Sequence, residues 1–168
     1  MKNTSILIIF FIASLFGFSC RKNNPGPNES FYCKIDGKAF RPDNDGDIFF
    51  EPLLAQWDLK NKMFYFIVYG NDSHSISISS KFQKNEDFGL KKYNVNREFI
   101  ANYNGDLILI NGSNVHEKFQ SFEDSGFIEF SKIDTTKRRV SGTFEFKLKN
   151  ERKTVSITKG QFNDVFYY

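Results

Sequence analysis

The acidic run Asp43-Asn44-Asp45-Gly46-Asp47, with Glu51 beyond it, has the residue types to hold a calcium ion. Ca²⁺ takes about six to eight oxygens, and carboxylates at alternate positions can curl around it. Asp43, Asp45 and Asp47 are therefore the candidate ligands. An EF-hand loop starting at Asp43 would need Gly at its sixth position and Glu at its twelfth. This chain has Ile48 and Leu54 there. A solvated acidic turn accounts for the same residues more economically, so no metal or other cofactor is expected.

His74 follows Asp72 and Ser73, the residue types of nucleophilic hydrolysis. Catalytic triads are assembled by geometry from distant segments. These three are contiguous within Gly70-Asn71-Asp72-Ser73-His74, where turn chemistry explains Asn71, Asp72 and Ser73. His116 has no partner legible in the sequence. Glu123 and Asp124 are adjacent, and neighbours in a strand point to opposite faces, so they are no glycosidase pair. With 2 Cys and 2 His, a metal cluster or a disulfide framework is excluded. No Gly-rich phosphate loop is present. No catalytic residue is expected, and the chain is read as non-enzymatic.

Two other groups carry chemistry of a softer kind. The aromatic residues Phe49, Phe50, Trp57, Phe64, Tyr65, Phe66 and Tyr69 suit either the lining of a cavity for a small apolar ligand or a plain core. Lys132 and the run Lys137-Arg138-Arg139 form a basic hairpin tip, solvated or facing anionic lipid headgroups. The formal net charge of the 168 residues is only +3, of which Lys2 supplies one. That excess is too mild for a nucleic-acid partner.

The elements that position these residues read as strands. Phe stands at 21 and Tyr at 7 against 2 Met and 1 Trp, a composition that leans towards sheet. Phe31, Cys33 and Ile35 alternate with Tyr32 and Lys34, which makes Cys33 a small buried hydrophobe. Asp36-Gly37 suits a two-residue hairpin into Lys38-Ala39-Phe40. Ile48–Leu59 is interrupted by Pro52, which fits an edge. Met63–Tyr69 is apolar on both faces and predicts a central strand buried on both sides. Ile76 and Ile78 alternate with serines. Residues 81–103 predict weak strands near Gly89–Tyr93 and Arg97–Tyr103. Asn104-Gly105 and Asn111-Gly112 read as turns around Leu107–Ile110, and residues 113–124 as a loop or one helical turn. Gly126–Ile133 is a strand. Val140, Gly142, Phe144, Phe146 and Leu148 then alternate with polar residues, the pattern of an antiparallel strand on a core. The segment after Asn150 continues through Val155 and Ile157, and Gly160 marks a bulge. No helical period is sustained. The expected fold is a single all-β antiparallel domain over 31–168 of roughly nine strands, either a flattened up-and-down barrel or a two-sheet sandwich.

The N-terminus reads as an address. Lys2 precedes the apolar run Ile6–Phe18, typical of a signal peptide and short for a span of ~20 residues. Residues 1–19 are the expected signal. Gly17 and Ser19 place small residues before Cys20, so Cys20 is the expected lipidation site, although Gly17 stands where a lipobox usually has Leu. Secretion with a free or Cys33-paired Cys20, or an uncleaved anchor, are the competing readings. Residues 21–30 (RKNNPGPNES) are polar and hold no aliphatic or aromatic side chain, as a tether does.

Two segments, Phe31–Phe40 (FYCKIDGKAF) and Gly126–Val165 with its SKIDTTKRRVSGTFEF and KGQFNDV stretches, resemble a family of small Gram-negative cell-envelope lipoproteins of uncharacterised function. The shared positions are turn and core residues. The resemblance implies an all-β fold and an envelope location, periplasmic or outer-membrane, and carries no catalytic residues. The expectation is a membrane-anchored lipoprotein acting as a non-catalytic binding or assembly module. Its partner would be an envelope protein or, in the alternative, a small apolar ligand carried in a barrel.

Overall fold

Along Arg139–Lys149, Val140, Gly142, Phe144, Phe146 and Leu148 are buried while Thr143, Glu145, Lys147 and Lys149 are exposed. A strand with one oily and one wet face must lay the oily face on a core, and the rest of the chain is built to the same rule. The structure is a computed structural model that describes residues 29–43, 52–58, 60, 63–70, 74–81, 89–95, 99–110 and 113–168. The expected signal peptide, Cys20, most of the tether, Asp45, Asp47, Glu51, Phe49, Phe50, Asp72 and Ser73 lie outside the described residues.

Every element among the described residues is a strand: β1 (Phe31–Ile35), β2 (Lys38–Phe40), β3 (Leu53–Asp58), β4 (Met63–Tyr69), β5 (Ser75–Lys81), β6 (Lys92–Asn94), β7 (Phe99–Ile110), β8 (Ser113–Asp134), β9 (Arg139–Lys149) and β10 (Thr154–Phe166). They form one sheet in the order β2-β1-β10-β9-β8-β7-β5-β4-β3, with β6 beside β8. All of these strand pairs are antiparallel. The fold is therefore all-β, a single curled sheet of half-barrel form.

The curl has local causes. Register shifts fall between Ser121 and Gly126, Ile157 and Gly160, and Phe162 and Val165. Asp124, Lys159 and Asp164 take positive φ there, at 57°, 53° and 51°. An extra residue on one strand bends it and sharpens its twist. The curling sheet brings β3 to the chain beyond β10. Ala55 bridges Tyr167, Trp57 N donates to Tyr168 O at 3.0 Å, and Tyr168 N donates to Ala55 O at 3.2 Å. The Phe surplus fills the inside. Phe31 stacks on Phe144 at 5.4 Å, Phe66 meets Phe162 at 5.4 Å, and Phe64 meets Phe130 edge-on at 5.2 Å. Gly142 stands opposite Phe162 and Gly160 opposite Phe144. A Cβ at either glycine would strike the ring that covers it, so these positions stay bare to seat the facing rings.

Several sequence expectations change in detail. The sheet has ten strands rather than about nine. Asn104-Gly105 is not a turn: β7 runs through it, with a register shift between Asn104 and Leu107. Residues 113–124 are neither loop nor helical turn but the first half of β8, held by pairing with β7. The weak strands settle at Lys92–Asn94 and Phe99–Ile110. Met63–Tyr69 alternates after all: Phe64, Phe66 and Val68 face the core, whereas Met63 and Tyr69 are exposed.

Candidate functional site

At one end of the curled sheet, the β1–β2 turn, the residue before β5, the bulge of β7, the first third of β8 and the start of β10 converge on a cleft of about 260 Å³. Its apolar surface comes from Ile35, Phe40, Phe119 and Val155; its polar groups are Asp36, Lys38, His74, Tyr103, Asp106, Glu117 and Lys153. The turn at Asp36 and Gly37 has φ of 48° and 81°, the conformation a two-residue hairpin requires. That turn is anchored by Ser156 N, which donates to Asp36 Oδ1 at 2.8 Å.

Tyr103 is the buried centre of the cleft. Its ring stacks on Phe119 at 5.7 Å and meets His74 edge-on at 5.8 Å. Its hydroxyl lies 3.2 Å from His74 Nδ1, and His74 Nε2 lies 3.0 Å from Asp106 Oδ1. A carboxylate only accepts, so Nε2 carries the proton it donates to Asp106. In the tautomer that carries its proton on Nε2 alone, Nδ1 accepts from the Tyr103 hydroxyl. Burial first, then the nearby Asp106 and Asp36 charges, push Tyr103 up to about 12. The hydroxyl therefore keeps its proton at ordinary pH and can donate it to His74.

A second polar pair closes the other side. Lys153 Nζ lies 2.8 Å from Glu117 Oε2, whose side chain is only 9% exposed, and Asn150 Nδ2 donates to Glu117 Oε1 at 3.1 Å. The Lys153 hydrogen bond holds the Glu117 carboxyl below the ordinary carboxylate range against its burial, with help from Asn150. The same bond raises Lys153. Turn chemistry places the lysine: Asn150 Oδ1 accepts from Arg152 N at 2.8 Å and Lys153 N at 2.9 Å. The Lys153 ammonium also sits 5.3 Å from the Phe119 ring centroid, a cation over an aromatic face.

The residues singled out in sequence fare unevenly. His74 belongs to the cleft through its partners Tyr103 and Asp106 in β7. His116 lies beside it, with Nδ1 bonded to Gly105 O at 2.9 Å. Of the calcium candidates only Asp43 is described, and its N donates to Tyr69 O at 2.9 Å. Among the described residues no group of three or more His, Cys, Asp or Glu is placed to hold a metal ion. Cys33 is a free, fully buried thiol, pushed up by that burial. Glu123 and Asp124 are exposed at the β8 bulge. Trp57 is half-buried against the core, and Phe64 and Phe66 lie within it. Tyr103, Asp106, Glu117 and Lys153 were not legible as a group. The one usable signal was the Gly105 interruption, whose bulge turns Asp106 towards His74. No protein-family model, curated protein or solved structure matches the chain.

Proposed function

We propose that the protein is a lipid-anchored module of the cell envelope that holds a small ligand in this cleft without transforming it. The observation that carries the reading is the placement of tether and cleft. The tether joins the domain at Glu29 and Ser30, beside Asn163, whereas the cleft lies where β1 ends and β10 begins. A domain held by Cys20 would thus present its cleft on the side away from the attachment. The acidic excess of the cleft, with Asp36, Asp106 and Glu117 against Lys38 and Lys153, favours a compact ligand with an apolar body and an amino head that meets Asp36 or Asp106, since Glu117 is already held by Lys153. The apolar interior gives less to a carrier: Phe31, Phe66, Phe144 and Phe162 are in ring contact with one another.

Both halves are testable. Wild type is expected in the detergent phase of a detergent split. Cys20→Ser, exported behind a signal whose removal does not need the cysteine, is expected in the aqueous phase. Equal partitioning would sink the anchor. Short alkyl amines titrated into that soluble protein should move the Tyr103 and Phe119 ring resonances, and matched carboxylic acids should not. An equal response to both sinks the amine reading, and no response to either sinks the cleft.

A further inference from the structure

The chain before Phe31 runs antiparallel to β10 and so heads for the C-terminal end of that strand. Asn163 N donates to Ser30 O at 2.9 Å, and Asn163 Nδ2 donates to Glu29 O at 3.2 Å. Beyond Asn163 on the same end, Phe166 pairs with Arg139, and Thr135–Arg138 turns β8 into β9. Lys132, Lys137, Arg138 and Arg139 gather there. Their local counter-charges are Asp164, 3.2 Å from Lys132 Nζ, and Asp134, whose Oδ1 accepts from Lys137 N at 2.8 Å. Arg139 Nη1 donates to Asp164 O at 2.8 Å, so that backbone carbonyl, not a carboxylate, holds it. Lys137 and Arg138 project from the turn into solvent.

An aromatic pair stands next to this charge. Phe166 and Tyr168 are 37% and 53% exposed, with rings edge-to-face at 5.0 Å. Arg139 lies 5.5 Å from the Phe166 centroid, and Tyr167 N donates to Arg138 O at 3.0 Å, which fastens this segment to the turn. Exposed aromatics beside Lys and Arg match a headgroup layer, where amphipathic rings settle and each cation gains from anionic lipid.

We propose that the β8–β9 turn and the Phe166–Tyr168 pair form the surface by which the domain rests on an anionic lipid bilayer. The proposal builds on the lipid-anchored reading. Cys20 to Ser30 spans at most ~35 Å of extended chain. The turn stands only ~15–20 Å beyond the Phe31–Phe162 level. An acyl group on Cys20 therefore reaches a bilayer that touches the turn.

The test uses the mature chain, residues 20–168, with Cys20→Ser, so that acylation plays no part in the result. Flotation is measured with phosphatidylcholine vesicles containing about 30% phosphatidylglycerol, and with phosphatidylcholine alone. Binding is expected to the anionic vesicles only, with release at high salt. Lys137→Gln with Arg138→Gln should weaken it ~30-fold, at roughly fivefold per charge. Tyr168→Ser should weaken it as an independent variant. Lys118→Gln with Lys147→Gln, exposed changes towards the cleft end, should leave it intact. Failure of the unsubstituted protein to float with anionic vesicles overturns the proposal, as does equal weakening by the two lysine-containing pairs. The detergent split judges the anchor separately, so either reading can fail while the other stands.

Discussion

Replacing Phe144 with Ala tests the core that shapes everything else. Phe144 is fully buried in β9, and its ring stacks on Phe31 at 5.4 Å, Phe146 at 5.6 Å and Phe162 at 6.4 Å. Truncation removes on the order of 100 Å² of apolar surface from the interior, or ~2.5 kcal/mol at ~25 cal/mol per Å². The cavity left among three rings brings the cost to ~3–5 kcal/mol. Gly160 lies under the same ring and carries no side chain to fill the hole. A domain of this size has ~5–15 kcal/mol in all. With a urea slope of ~2 kcal/mol per M, the midpoint should fall by about 2 M. Glu145, the next residue, is exposed, and its Oε1 accepts one weak bond from Lys159 N at 3.3 Å. Glu145→Ala should cost ~0.5 kcal/mol. The assay is urea unfolding of the Cys20→Ser protein followed by tyrosine fluorescence and far-UV circular dichroism. Equal shifts from the two substitutions would refute the register of β9 and the core built on it.

The Glu117–Lys153 pair sets a pH window. The folded carboxyl is lowered, so its contribution is present above its unfolded value and lost as pH falls through the folded one. The folded ammonium is raised, so its contribution is present below its unfolded value and lost as pH rises through the folded one. Lys153→Met should therefore cost stability near neutrality and flatten both limbs of a melting-temperature profile; limbs unchanged by the substitution would refute the pairing. Tyr103 should titrate near 12 when phenolate absorbance is followed, and Tyr103→Phe should delete that component. A Tyr103 titration in the ordinary range would mean that the hydroxyl is solvated and the cleft centre is open.

Legibility in the sequence followed the source of each element's stability. The β9–β10 half could be read residue by residue because its alternation is strict and its turn residues are local. Gly160 announced its bulge for the same reason. Asn104-Gly105 and residues 113–124 resisted because their pairing partners decide them, whereas Gly126–Ile133 was legible as a strand. Asn104-Gly105 has the composition of a hairpin turn, yet the neighbouring strand captures its backbone. The polar sequence of 113–124 shows its strand character only when laid against β7. The cleft was hidden for a related cause. His74 was visible, but Asp106 and Tyr103 stand 32 and 29 residues away and meet it only after the sheet has curled. Glu117 and Lys153, likewise, are ordinary charged residues until the β9–β10 turn folds back.

The meeting of Ala55 with Tyr167 bears on how the chain comes to be finished. In a polypeptide that emerges N-terminus first, β3, β4 and β5 are complete long before residues 167 and 168 are available. Closing so wide a loop adds little free energy, ~0.6 kcal/mol for each doubling of length, but it delays the event. Until then β3 offers unpaired backbone donors and acceptors, a template for another chain's strand. The tail is thus a stopper as well as a strand end. A protein cut before Tyr167 would keep nearly all of its core and still leave a sticky edge, so its failure would show first as aggregation during folding rather than as a lower melting temperature.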